Sequence, residues 1–134
     1  RFLFILNMLT QDQKDQLTQL MSYCPIPKLK KVLDEGLPRF ISGEIEPIQN
    51  TTGLIINKYN KYEASDNRCC LIGAALIGKS GSFSSDELFK VSEYDRDLIV
   101  LCFDEKISMK DFYSENENQI INYVSKIRKV IFGC

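Results

Sequence analysis

Residues 73–80 match the phosphate-loop pattern G-x-x-x-x-G-K-S, with Lys79 and Ser80 at its end. In a working loop the backbone N–H groups bind phosphates, the lysine reaches the outer phosphates and the serine hydroxyl holds magnesium. Here the four residues after Gly73 are all apolar and favour a continuous helix over a turn around an anion. Gly81 then follows the motif directly, which is a poor start for the required helix. Nucleotide binding through 73–80 is therefore the least favoured alternative.

Four carboxylates flank one apolar run and are candidates for acid–base chemistry. They are Asp95, Asp97, Asp104 and Glu105, and the run comprises residues 98–103. Two carboxyl groups that share a cleft can separate their pKa values, so that one acts as an acid and the other as a base. Charged residues beside an apolar run are more commonly its solvated ends. No catalytic residue is assigned, and a small enzyme using carboxylates or a thiol remains the alternative.

Histidine is absent, which removes the most common general base and the Ser-His and Cys-His nucleophile pairs. The cysteines contain no C-x-x-C pair, so neither a metal site nor a cofactor is predicted; they are at positions 24, 69, 70, 102 and 134. An odd number of cysteines without framework spacing favours a reducing, cytoplasmic compartment. Adjacent Cys69 and Cys70 could form a vicinal disulfide that acts as a switch, although two free thiols in a helix are the favoured interpretation.

The charge balance argues against a nucleic-acid partner, because 17 basic and 18 acidic side chains leave a net charge of −1. Basic clusters at 28–31 and 126–129 are predicted to be solvated helix surfaces. Residues 1–9 are apolar but far shorter than the ~20 residues that span a membrane, so no membrane span is expected. We predict an apolar N-terminal extension at 1–9 and a single helical domain at 10–134.

Helical periodicity dominates the chain and predicts a mainly α fold, a compact bundle of five or six short helices. Thr10 and Gln13 form a capping box for the first helix. A second helix begins near Pro27 and is expected to break at 36–38, where Gly and Pro occur together. Residues 68–78 are predicted to be a buried core helix, and Ser114 to cap a closing helix.

The closing helix has one apolar and one basic side. Its inward residues are predicted to be Ile120, Ile121, Val124, Ile127 and Ile131, and its outward residues Lys126, Arg128 and Lys129. A further helix is expected to begin at 85–87. The pattern does not decide whether 95–105 is a helix or a strand.

The least regular segment, residues 43–67, is the predicted recognition surface. Within it, 54–62 fits a short strand or hairpin, or a helical turn. The candidate partner-binding residues are Leu54, Tyr59 and Tyr62 in this segment, with Phe2 and Phe4 in the N-terminal extension.

The order of segments resembles a family of small bacterial and phage proteins with a Cys-Ala-Leu-Gly-Ala-Leu box, a Trp-Asn-Asp segment and a closing helix. The corresponding segments here are 70–76, 102–104 and 115–131, so the resemblance covers roughly residues 36–131. Phe103 stands in the place of the tryptophan. The family has no activity to carry over. The resemblance implies a helical fold and a role for Asp104 in capping or orienting the closing helix.

These observations favour a non-enzymatic protein-interaction or assembly module, of the kind found among bacterial or phage accessory proteins. A protein partner or self-association is expected, through residues 1–9 or the 43–67 segment.

Overall fold

The computed structural model of the chain describes residues 9–77, 93–107 and 115–133. These residues form five helices: α1 (Gln11–Ser22), α2 (Pro27–Ile41), α3 (Leu71–Ile77), α4 (Glu93–Asp104) and α5 (Glu115–Phe132). Four short strands lie between α2 and α3: β1 (Glu46–Pro47), β2 (Leu54–Ile56), β3 (Tyr62–Ala64) and β4 (Arg68–Cys69). β1 pairs with β4 in parallel, and β2 pairs with β3 as an antiparallel hairpin. The prediction of a mainly α fold is confirmed, with a small β part inserted.

Helix α1 begins where the sequence predicts. The Thr10 hydroxyl accepts a hydrogen bond from the Gln13 N–H at 3.1 Å, and the Gln13 carboxamide oxygen accepts one from the Thr10 N–H at 2.7 Å. These reciprocal bonds satisfy two donors that the start of a helix leaves unpaired. The Gln13 amide also donates to the Val130 carbonyl at 2.9 Å, which fixes α1 against α5.

Helix α2 does not break at 36–38, contrary to the prediction, and continues to Ile41 with Pro38 inside it. A proline there removes one intrahelical hydrogen bond. Leu37 and Phe40 are almost fully buried on either side of it, and their burial offsets that loss. Gly36 lies against α3, where an added Cβ would be 3.0 Å from the Leu71 carbonyl oxygen. The glycine therefore permits close helix packing instead of ending the helix.

The core helix predicted at 68–78 begins later than expected, at Leu71. All seven residues of α3 are buried, as the uniformly apolar sequence predicts, but Arg68 and Cys69 form strand β4 instead. The reason is a backbone ladder with β1: the Glu46 N–H donates to the Asn67 carbonyl and the Ile48 N–H to the Cys69 carbonyl. These tertiary bonds outweigh local helix propensity.

Helix α4 settles the undecided segment 95–105, because residues 93–104 are helical. In α5, residues Ile120, Ile121, Val124 and Ile127 are buried as predicted, whereas Arg128 is not outward. Arg128 is only 4% exposed, and its Nη1 donates to the carbonyls of Cys102, at 2.7 Å, and Glu105. A helix leaves its last carbonyls unpaired, so Arg128 caps α4 from the neighbouring helix.

Phe103 lies at the centre of the helical core and is 1% exposed. Its ring is 6.4 Å from that of Phe40 in a stacked arrangement and 5.5 Å from that of Phe132 in an edge-to-face arrangement. These contacts join α2, α4 and α5 through one side chain.

Candidate functional site: the open edge of the hairpin

The first part of the phosphate-loop motif is core helix. Gly73 lies inside α3, where its N–H donates to the Cys70 sulfur at 3.4 Å and the Ala74 N–H to the Cys70 carbonyl at 2.9 Å. These N–H groups are thus used within the chain, and the surrounding residues are buried. Residues 78–80, including Lys79, lie outside the described residues, as does the helix expected from 85–87. The described half of the motif does not have the geometry of an anion site.

Asp95 and Asp104 are too far apart to form an acid–base pair. Asp95 and Asp104 are nine residues apart on one helix, which places them about 14 Å apart along its axis. Asp97 is an exposed residue that accepts from the Arg96 side chain at 3.3 Å. The Asp104 carboxylate accepts a hydrogen bond from the Asn50 N–H at 2.9 Å. Asp104 therefore binds the loop before the hairpin, and its implied role in capping or orienting the closing helix stays a prediction.

The four cysteines of the described residues are free and buried. Burial raises the pKa of Cys69 to about 12 and that of Cys102 to about 11, and it also raises the pKa values of Cys24 and Cys70. The thiolate is the nucleophilic form of cysteine, and these groups stay protonated at neutral pH. The arrangement is that of small core side chains and not that of a catalytic thiol. Cys69 and Cys70 precede α3, so the prediction that they lie in a helix is wrong.

We expect the protein to lose stability in alkali between pH 9 and about pH 12, in part through Cys69. The unfolded chain releases this proton above a pKa of 9.0, whereas the folded chain keeps it to about 12. The stabilising contribution is therefore complete below pH 9 and is lost as the pH rises through that range. Urea unfolding at pH 8 to 11 measures it. The pH dependence should be weaker in Cys69→Ala; an equal slope in both proteins would contradict the assignment.

Two open grooves flank α5. The larger, about 580 Å³, lies between α1 and α5, but its Tyr123 side chain is engaged: the Tyr123 hydroxyl donates to the Tyr23 backbone carbonyl at 3.1 Å and Lys126 lies over the Tyr123 ring. The second, about 410 Å³, is lined by basic residues and by Ser125. It lies beside the C-terminal ends of α4 and α5, where the helix dipoles oppose an anion. Neither groove brings together groups that would define a reaction.

The hairpin of β2 and β3 has a turn that is organised by Asn57. The carboxamide oxygen of Asn57 accepts hydrogen bonds from the N–H groups of Tyr59 and Lys61, at 2.9 and 3.1 Å. Asn60 closes the turn with a φ of 59°, a left-handed conformation that asparagine tolerates better than most residues. The Asn57 amide donates to the Glu63 carboxylate at 3.2 Å. The turn is thus fixed by its own side chains, and its position relative to the strands is defined.

The base of the hairpin packs closely at two glycines, against α3 at Gly73 and against β4 at Gly53. A Cβ at Gly73 would overlap the Thr52 carbonyl oxygen, and a Cβ at Gly53 would overlap the Arg68 carbonyl oxygen. Gly53 also has a φ of +67°, which side chains rarely adopt. β3 contacts α3 beside this base. The base of the hairpin can approach α3 and β4 this closely only because both glycines lack a side chain.

The outer edge of β2 carries backbone groups that no described residue pairs with. The Asn57 N–H donates to the Lys61 carbonyl and the Ser65 N–H to the Gly53 carbonyl, so these pairs are hydrogen-bonded. Pairs alternate in an antiparallel ladder, so Ile55 also bonds across to Glu63 whereas Leu54 and Ile56 direct their N–H and C=O groups outward. In the part of the chain that the structure describes, this sheet has two strands and no third strand covers that edge.

Apolar side chains surround this open edge. Ile55 is 44% exposed, Ile56 62% and Tyr59 70%, and Lys58 lies 5.2 Å from the centre of the Tyr59 ring. Of the sequence-predicted residues, Tyr59 is exposed, whereas Leu54 and Tyr62 are half-buried and pack against the core. Phe2 and Phe4 lie outside the described residues.

Ile55 and Ile56 were not predicted. Three consecutive apolar residues do not reveal which of them faces solvent, although the flanking Gly53 and the Asn57 turn were a signal for a hairpin.

Comparisons with protein-family models, with curated proteins and with solved structures gave no match for this chain. Among the described residues, no helix is long and apolar enough to cross a membrane. Within the same residues, no group of three or more cysteine and carboxylate side chains is placed to hold a metal ion.

Proposed function

We propose that this chain is a non-enzymatic protein-interaction module that binds another polypeptide along the open edge of β2. The observation that carries the proposal is the coincidence of outward backbone groups at Leu54 and Ile56 with exposed Ile55, Ile56 and Tyr59. Unpaired strand edges bind extended segments by backbone hydrogen bonds, and the flanking side chains supply the apolar contact. The helices then form one compact bundle whose role is to hold the hairpin in place.

The rigidity of the hairpin supports this role. A binding edge costs less entropy on association when it is already ordered, and Asn57, Gly53 and Gly73 hold both ends of the hairpin. The free thiols fit a reducing compartment such as the cytoplasm. A bacterial or phage accessory protein of the family that the sequence resembles is the corresponding biological setting.

Site-specific photo-crosslinking in the source cells tests the proposal. A benzophenone amino acid replaces Tyr59 beside the open edge, or Tyr23 as a matched control, because Tyr23 is 77% exposed at the end of α1. We expect a product of defined mass from position 59 and not from position 23. No product at 59, or the same product from both positions, would refute binding at this edge.

A second substitution tests the backbone itself. Ile56→Pro removes one outward N–H and leaves the hairpin ladder intact, because Ile56 does not bond to β3. Losing this hydrogen bond should lower the crosslinking yield from position 59 about tenfold. Urea unfolding should change by less than about 1 kcal/mol. An undiminished yield from Ile56→Pro would show that the partner does not use the strand edge.

A further inference from the structure

We propose that a second copy of this chain binds the open edge, by antiparallel pairing of β2 with β2 about a two-fold axis at Ile55. This inference rests on the proposed function and specifies its partner. The outward backbone groups belong to Leu54 and Ile56, which lie symmetrically on either side of Ile55. An edge with this symmetry is complementary to itself, as an isologous dimer interface requires.

The register follows from the hydrogen-bonding groups. With Ile55 opposite the partner's Ile55, Leu54 of each copy faces Ile56 of the other, and both N–H and C=O groups of each facing pair can bond. The four outward donors and acceptors per copy are then all used. An axis at Ile56 would place Leu54 opposite Lys58, which lies in the turn and not in the strand, so half of these bonds would be lost.

Side chains are compatible with this register. The facing pairs are Ile55 with Ile55 and Ile56 with Leu54, which are apolar and mostly β-branched, and such cross-strand pairs stabilise sheets. The resulting sheet has the order β3-β2-β2-β3. Glu63 is adjacent to Ile55 on β3, so the two Glu63 side chains lie three strand spacings apart, about 14 Å. Their repulsion is largely screened at that distance.

The pairing is short, with three strand residues from each copy, so we expect a reversible dimer at the low end of interface sizes. A disulfide trap is therefore a suitable probe. Residues of a non-hydrogen-bonded antiparallel pair have Cβ atoms about 5 Å apart, whereas diagonal neighbours are about 7–8 Å apart. In this register a cysteine at position 55 lies directly opposite position 55 of the second copy. A cysteine at position 56 lies diagonally across from position 56 of the second copy.

The test uses Ile55→Cys and, as a matched control, Ile56→Cys, both in the purified 134-residue chain with Cys134→Ser. Oxidised glutathione is the oxidant. It takes two electrons and two protons from the facing thiols, which form the disulfide, and it becomes two molecules of reduced glutathione. We expect Ile55→Cys to form a reducible dimer of twice the 15.4-kDa chain mass, at least about tenfold faster than Ile56→Cys. Adding Ile56→Pro to the Ile55→Cys chain should remove this advantage.

Equal rates for the two cysteine variants, or no dimer from either, would overturn the homodimer. The proposed function fails separately, because it depends on the crosslinks from position 59. A crosslinked product with a different protein, together with no disulfide dimer at 55, would retain the edge as a binding site and reject the second copy as its partner.

Discussion

Gly73→Ala is expected to lower the free energy of unfolding by about 3 kcal/mol, at the upper end of the cost of overfilling a packed site. An added Cβ would overlap the Thr52 carbonyl oxygen and approach the Cys69 side chain to 2.9 Å. Backbone cannot rotate away as a long side chain can, so the base of the hairpin and α3 must separate. Urea unfolding measures the loss, and weaker crosslinking from position 59 should accompany it.

Gly36→Ala provides the control, because it is also a buried helical glycine but has more space. The nearest atom to its added Cβ is the Leu71 carbonyl oxygen at 3.0 Å. The higher helix propensity of alanine, worth about 1 kcal/mol, offsets much of this closer contact. We expect a change of less than about 1.5 kcal/mol at Gly36. A similar cost at both positions would contradict the role assigned to the Thr52 approach.

Arg128→Met is expected to destabilise the fold by about 3 kcal/mol, although the sequence pattern placed this residue on the solvent side. The buried guanidinium donates to the carbonyls of Cys102 and Glu105, and methionine fills a similar volume without a donor. Hydrogen bonds from a charged group contribute about 1.5–3 kcal/mol each, and the unpaired carbonyls add a desolvation cost. Urea unfolding measures the loss of stability. Amide hydrogen exchange at residues 99–104 should show the loss of α4.

Lys129→Met is the matched control on the next residue. Lys129 is exposed, so its replacement should change the free energy of unfolding by no more than about 0.5 kcal/mol. Arg128→Lys should fall between the two, because lysine keeps the charge but not the planar donor arrangement. If Arg128→Met and Lys129→Met were equally mild, the cap on α4 would contribute little.

Local chemistry was sufficient to predict much of the fold. The Thr10 capping box, the start of α2 at Pro27 and the buried side of α5 each depend on contacts within a few residues. A helix start or an apolar stripe is encoded in the spacing of neighbouring side chains, so the sequence displays it directly. The uniformly apolar composition of α3 likewise identified it as core, against the literal phosphate-loop match.

What the tertiary structure alone decided involves residues distant in the chain. The sequence predicts a helix break at Gly36 and Pro38, because it does not show that α3 packs against Gly36. Arg128 looked like one member of a basic cluster, because the end of α4 that it caps is more than 20 residues away. The open edge of β2 depends on the phase of the hairpin ladder, which a run of three apolar residues leaves undetermined. Sequence patterns record local periodicity, whereas these features arise from which backbone groups the folded chain leaves to be paired.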